Sequence, residues 1–169
     1  MIKGVIFDLD QTLVDTSISE GYRKDRNWSK VYGLTSSFQL YDGISIALKY
    51  LTDNNIKICI VTASPGKYAK KVLDCFNIPF DHLVDYFSTA RKKPFPDPMF
   101  RALELLNLNP SEVLSFGDRA IDMESAHKAR IKSVACLWGT SEKNQLILTN
   151  PSYIIEKPIE MVKLLTNHR

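Results

Sequence analysis

Val5-Ile6-Phe7-Asp8-Leu9-Asp10-Gln11-Thr12-Leu13 begins as a β-branched and aromatic run that reads as a buried strand. The run stops at Asp8, an acid that a buried strand does not carry without a reason. In extended geometry residues i and i+2 share a face, so Asp8 and Asp10 point the same way while Leu9 points back. Two acids at one strand end repel, and one takes up a proton unless a cation sits between them. A bound cation beside a carboxylate nucleophile answers that repulsion. So does a turn in which one acid caps and the other faces water, and both readings fit this stretch taken alone.

The 169 residues suffice for one full core and are few for two. Lys and Arg number 22 against 19 Asp and Glu, a net charge of +3 that is too mild to point to nucleic acid. The three cysteines, Cys59, Cys75 and Cys136, are widely spaced and form no C-x-x-C pair. Cys59 and Cys136 sit in apolar runs, which predicts buried thiols, a reducing compartment and no zinc cluster. Met1 to Phe7 is too short for a signal-peptide core, and no span approaches transmembrane length. The expectation is a cytoplasmic protein without membrane contact.

Residues 14–41 are polar and irregular, with room for one short helix from about Ser17 to Tyr32. Helical spacing returns after Asp42-Gly43, where Ile44, Ala47, Leu48 and Leu51 share a face; Asn54-Asn55 ends that helix. Ile56 to Thr62 is a second buried strand. Ser64 as N-cap and Pro65 as first residue start a helix whose inner face holds Tyr68, Val72 and Phe76. Leu83 to Ser88 predicts a third strand. The prolines of residues 94–98 deny a helix before Met99, after which Phe100, Leu103 and Leu106 should pack inward. Asn109-Pro110-Ser111-Glu112 is a turn, followed by a fourth strand over Val113 to Phe116. Gly117-Asp118 ends it and leads into a helix carrying Ile121, Ala126 and Ala129. Ser133 to Trp138 and Tyr153 to Ile155 read as further strands, and Ile159 to Leu165 as a closing helix.

Strands alternating with helices of this length predict an α/β fold with a parallel sheet covered on both faces. Ligands bind such sheets at the carboxyl ends of the strands. Asp8 and Asp10, Thr62, the Lys92-Lys93 loop, and Asp118 with Asp122 all follow strand ends, so they should gather on one edge.

These residues resemble, in order and spacing, the four motifs of the haloacid dehalogenase superfamily: Asp8-Leu9-Asp10-Gln11-Thr12-Leu13; Val61-Thr62-Ala63-Ser64; Lys93-Pro94 with Pro96-Asp97-Pro98; and Gly117-Asp118 followed by Asp122. The resemblance implies a Rossmann-like three-layer α/β/α sheet and a Mg²⁺-dependent phosphohydrolase of the phosphoglycolate-phosphatase-like branch. It implies Asp8 as the nucleophile that becomes an aspartyl-phosphate, and Asp10 as the acid and then the base. Thr62, with neighbouring Ala63, and Lys93 would hold the phosphoryl group. Asp8, Asp10, Asp118 and Asp122 would form the metal site. The lysine directly before Pro94 is the one that matches, which leaves Lys92 to solvent. Phosphotransfer on the same fold and a catalytically silent interaction module are the alternatives.

Two departures stand out. Gln11 occupies a position where the superfamily usually has glycine. Residues 14–41 are far shorter than the multi-helix cap that this branch inserts there, so the cap should be minimal or absent. One domain over residues 1–169, with 14–41 as a short cap-like insert and an open site, is therefore expected. An open site suits a small phosphorylated substrate and also admits a phosphorylated macromolecule. Arg23, Lys24, Arg26 and Lys30 lie in the insert beside Tyr22 and Trp28. Arg23 and Arg26 either bind a second anionic part of the substrate or belong to a solvated basic helix.

Overall fold

The computed structural model describes residues 1–168. In chain order it runs β1 (Gly4–Phe7), β2 (Val14–Asp15), α1 (Glu20–Lys24), α2 (Trp28–Leu34), β3 (Gln39–Leu40), α3 (Ile44–Asp53) and β4 (Lys57–Val61). There follow α4 (Gly66–Cys75), β5 (His82–Val84), α5 (Asp97–Leu106), β6 (Val113–Gly117) and α6 (Ala120–Lys128). β7 (Lys132–Cys136), α7 (Lys143–Leu148), β8 (Tyr153–Ile155) and α8 (Glu160–Thr166) complete it.

The main sheet has the order β5-β4-β1-β6-β7-β8, and every neighbouring pair is parallel. Alternation along the strands divides the core. Val5 and Phe7 of β1, with Ile58 and Ile60 of β4, face one layer; Ile6, Cys59 and Val61 face the other. α3, α4 and α8 cover the first face through Leu51, Tyr68, Val72 and Met161. α5 and α6 cover the second through Met99, Ala102, Leu106 and Ala126. Both faces are buried, so the strands read as continuous apolar runs, and burying each large side chain contributes about 1.5–3 kcal/mol. The expected three-layer architecture is the one observed. Among the described residues, no helix is long and apolar enough to cross a membrane.

Local departures have local causes. Residues 14–41 hold two short helices, α1 and α2, where one was expected. The chain breaks between them at Arg26, whose φ is +54°, and Asn27 restarts it by accepting the amide of Lys30. The ends of this insert are tied by the two-stranded β2–β3 ribbon, and Val31 and Phe38 anchor it in the core. α5 begins at Asp97 because Pro98 occupies its first turn, where the missing N–H costs nothing. Its inner face therefore runs Met99, Ala102, Leu103, Leu106, and Phe100 is 52% exposed instead of packed inward. β5 stops at Val84, since the Asp85 carboxylate accepts the amide of Phe87 and the hydroxyl of Ser88 and turns the chain. Ser64 does not cap α4: Pro65 holds that position, without a side-chain cap, and the serine hydroxyl is used in the site. α7 carries no readable apolar face, because Leu146 alone of its residues is buried.

Candidate active site

β1 ends between β4 and β6, so Asp8, Thr62 and Asp118 emerge at three adjacent strand ends where the strand order reverses. Main-chain pairing fixes them: Asp8 N–H donates to Phe116 at 3.0 Å, and Thr62 N–H to Val84 at 3.0 Å. Asp122 comes from the first turn of α6 and reaches back to the end of β6. Gly117 makes room for it, since a side-chain carbon there would occupy the space of the Asp122 carboxyl group.

Lys93 ties the acids together. Its side chain is 3% exposed, and its ammonium donates to Asp8 Oδ1 at 2.8 Å, Asp122 Oδ1 at 2.6 Å and the Val61 carbonyl at 3.1 Å. Three donors meet three acceptors, which fixes a flexible side chain. Burial alone would lower its pKa, but the carboxylates of Asp122 and Asp8 outweigh that and raise it. Lys92, in contrast, donates to the Thr89 carbonyl and lies 4.5 Å from the centre of the Tyr86 ring. It is neither in the site nor fully solvated.

Asp122 also uses Oδ2 to accept the Arg119 amide at 3.0 Å, so it answers the helix start and the site at once. Asp118 is 3% exposed and accepts the hydroxyl of Thr12 at 3.1 Å. The carbonyl of Thr12 in turn accepts Trp138 Nε1 at 2.9 Å. Oxygen atoms of Asp8, Asp118 and Asp122 all lie within 4.8 Å of one another. Burial, reinforced by Asp8 and Asp122, pushes the Asp118 carboxyl up to about 9, against the Thr12 hydrogen bond and Lys93. Burial likewise raises Asp8 to about 6; Asp122 and Asp10 add to it and Lys93 opposes. One ammonium among three carboxylates, two of them buried and that of Asp8 half-buried, leaves the cluster short of positive charge. An all-oxygen donor set short of a cation fits a hard divalent ion such as Mg²⁺.

Asp10 is turned to a separate set of partners, and its carboxylate is not in that cluster. Oδ1 accepts Thr16 Oγ1 at 2.7 Å and Tyr68 OH at 2.6 Å. Oδ2 accepts Ser64 Oγ at 3.1 Å and is ion-paired with Arg23, whose NH1 lies 3.1 Å away. Gln11 takes the left-handed turn that follows, with φ at +66°. That conformation costs a side-chain-bearing residue about 1–2 kcal/mol. Hydrogen bonds offset it: Gln11 Oε1 accepts the Thr16 amide at 3.0 Å and Tyr41 OH at 3.3 Å.

Thr62 is buried, and its Oγ1 accepts the Ser64 amide at 3.1 Å, which leaves its own proton uncommitted. Ala63 is exposed on the wall of a cleft of about 600 Å³, and Arg23 and Arg26 line its insert side. The cleft thus brings together Asp8, Asp10, Thr62, Ala63, Lys93, Asp118, Asp122, Arg23 and Arg26. Sequence reasoning missed the second ring of partners: Thr12, Thr16, Ser64 and Tyr68. The last two carried ordinary helix readings as cap and core residue. Their signal was their place just after the second strand, Ser64 in the connecting loop and Tyr68 in the first turn of α4.

The model of the haloacid dehalogenase-like hydrolase family matches residues 22–136, just past the Asp8–Leu13 stretch. A phosphoglycolate phosphatase of Aquifex aeolicus (strain VF5) is 32% identical over 130 residues, which are 76% of this chain and 60% of that protein. The pyrophosphatase PpaX of Bacillus mycoides (strain KBAB4) is 28% identical over 128 residues, 75% of this chain and 60% of that one. This chain therefore spans 60% of the length of these curated relatives. A crystal structure of a hydrolase from Pseudomonas syringae has a TM-score of 0.84 at 19% identity, covering 98% of each chain. A haloacid-dehalogenase-superfamily hydrolase of subfamily IA from Geobacter sulfurreducens has a TM-score of 0.77 at 21% identity, covering 97% of this chain and 100% of that one. These two share its fold. The matched family model covers most of the chain, and the chain belongs to the haloacid dehalogenase-like hydrolase family.

Proposed function

We propose that this protein is a Mg²⁺-dependent phosphomonoester hydrolase acting through an aspartyl-phosphate on Asp8. One observation carries this: a buried lysine bonded at once to Asp8 and Asp122, beside Asp118, at three adjacent strand ends. Asp8, Asp118 and Asp122 would hold Mg²⁺, which when bound offsets the charge of the nucleophile and of the phosphoryl oxygens. Lys93 sits on Asp8 Oδ1 and leaves Oδ2 to attack phosphorus. As that O–P bond forms, the bond to the leaving oxygen breaks, and Asp10 supplies its proton. Asp10 then takes a proton from water, whose oxygen displaces Asp8 and releases inorganic phosphate. Thr62, with its hydroxyl proton free, donates to a phosphoryl oxygen, and the main chain at Ala63 flanks it.

We read residues 1–169 as one hydrolase domain in which 14–41 is a cap-like insert. Small phosphorylated substrates suit the cleft of about 600 Å³. The relatives' names, a phosphoglycolate phosphatase and a pyrophosphatase, support that class. Free Cys59, Cys75 and Cys136 support a cytoplasmic setting. The test is turnover of phenyl phosphate with Mg²⁺ and with EDTA. Metal-dependent phosphate release is expected. A folded protein that binds phosphate without turnover would instead be a silent module, and transfer to an added alcohol in preference to water would make it a phosphotransferase.

A further inference from the structure

Arg23 reaches from α1 to the acid/base position. Its side chain is 17% exposed, and it meets Asp10 through one nitrogen, NH1 to Oδ2 at 3.1 Å. Its Nε is buried without an acceptor. A guanidinium is a rigid fork whose paired N–H groups match both oxygens of a carboxylate or phosphate. Here a single prong is used and another is left unsatisfied, which disfavours this position.

Asp10 depends little on the contact. Without Arg23, its Oδ1 keeps Thr16 and Tyr68, and its Oδ2 keeps Ser64. The neighbouring Lys24 is neutralised by Glu20 at 2.7 Å, whereas Arg26 is exposed on the cleft rim and adds positive charge there. Arg23 is therefore held at Asp10 by one ion-pair contact with its Nε unpaired, a condition in which a ligand that offers it better contacts shifts its position.

We infer that Arg23 leaves Asp10 when substrate binds and grips a second oxyanion, a carboxylate or phosphate, carried on the leaving portion of the substrate. This rests on the hydrolase reading, in which Asp10 faces the leaving oxygen. A group that replaces Asp10 Oδ2 in the grip of Arg23 lies next to that oxygen, hence a few bonds away along the substrate. The substrate class is then a short phosphoester or phosphoanhydride bearing its own second anion. Arg23 becomes the residue of the insert that selects it.

Binding without turnover tests this. In Mg²⁺, calorimetry compares ethylphosphonate, which has no second anion, with phosphonoacetate and methylenebisphosphonate, which carry a carboxylate or a phosphonate. The wild type should bind at least one of the latter about 10-fold tighter than ethylphosphonate. The advantage should fall to about 3-fold or less in Arg23→Gln and survive in part in Arg23→Lys. Which probe wins identifies the oxyanion. Equal binding of all three by the wild type, or an advantage intact in folded Arg23→Gln, overturns the proposal; should that variant melt early, Arg23→Lys with an undiminished bidentate preference does the same. Phenyl phosphate turnover is run in parallel. Turnover without the binding advantage defeats this inference alone, and the advantage without turnover defeats the hydrolase reading alone.

Discussion

Lys93 Nζ lies 2.6 Å from Asp122 Oδ1, and this contact exists because residue 117 has no side chain. The Gly117→Ala variant would drive a methyl group into the Asp122 carboxyl, and the first turn of α6 would have to shift away from β6. Overpacking of this kind costs about 1–3 kcal/mol. The expected outcome is a lower melting temperature and, in calorimetry, Mg²⁺ affinity weakened by about 10-fold or more. Unchanged Mg²⁺ affinity in Gly117→Ala would show that Asp122 does not help to hold the ion.

Asp8→Asn should abolish turnover without unfolding the domain. On the proposed route through Asp8 nothing else nearby replaces the nucleophile, so a loss of at least ~10³-fold in kcat is expected. The fold should survive for an electrostatic reason: burial and the neighbouring acids already disfavour the ionised form of Asp8, raised to about 6. A neutral isostere of the same shape removes that repulsion. Stopped turnover together with a metal-free melting temperature at or above the wild type is the expected pair of results. Residual turnover with normal metal dependence would rule out the covalent route through Asp8.

The pH dependence of stability follows from Asp118, raised from the ordinary 3.8 to about 9 mainly by burial. Between those values the folded protein keeps a proton that the unfolded chain has released. Folding stability therefore falls as pH rises toward about 9 in the metal-free protein. Asp8 adds a smaller effect of the same sign at lower pH, up to about 6. Mg²⁺ takes the place of the proton, so its stabilisation should grow over the same range. Thermal melts in EDTA and in Mg²⁺ from pH 5 to 9 measure both slopes. Asp118→Asn should flatten the EDTA slope and remove most of the Mg²⁺ stabilisation; an unchanged slope would place the titration elsewhere.

Much of this was legible in the sequence because burial and chemistry leave different marks. β1, β4 and β6 are covered on both faces, so their residues read as unbroken apolar runs, and Asp8, Thr62 and Asp118 stood out as what ended them. Lys93 was separable from Lys92 only by the motif it precedes; its three acceptors, contributed by residues 8, 61 and 122, come from distant parts of the chain. The surroundings of Asp10 were not legible. Ser64 and Tyr68 lie 54 and 58 residues away in sequence, and a serine before a helix and a tyrosine on its inner face each have a sufficient local explanation. Phe100 misled for a related reason: it shares Leu103 with the true inner face, and only the start of α5 at Asp97 fixes which set is buried.

The phenol of Tyr68 supplies the shortest of the four contacts to Asp10, 2.6 Å to Oδ1, from a side chain with no exposed surface. It fixes the orientation of the Asp10 carboxyl group, which in the proposed reaction serves the leaving oxygen, while Thr16 shares the same acceptor at 2.7 Å. Tyr68→Phe deletes that donor and strands nothing, because Asp10 keeps the hydroxyls of Thr16 and Ser64 and its ion pair with Arg23, and the phenylalanine ring still fills the space between Trp28 and the core. The melting temperature should move by only a few degrees, as expected for the loss of one hydrogen bond worth about 1–3 kcal/mol. Catalysis should separate by leaving group. An alkyl phosphate needs its departing oxygen protonated and should lose about 10-fold in kcat, whereas a nitrophenyl phosphate, whose leaving group departs as an anion, should lose about 3-fold or less. In an Asp10→Asn background the same substitution should change the alkyl rate little, since the group it positions is gone. Equal losses on both substrates, or a full effect in the Asp10→Asn background, would mean that Tyr68 acts through packing and not through Asp10.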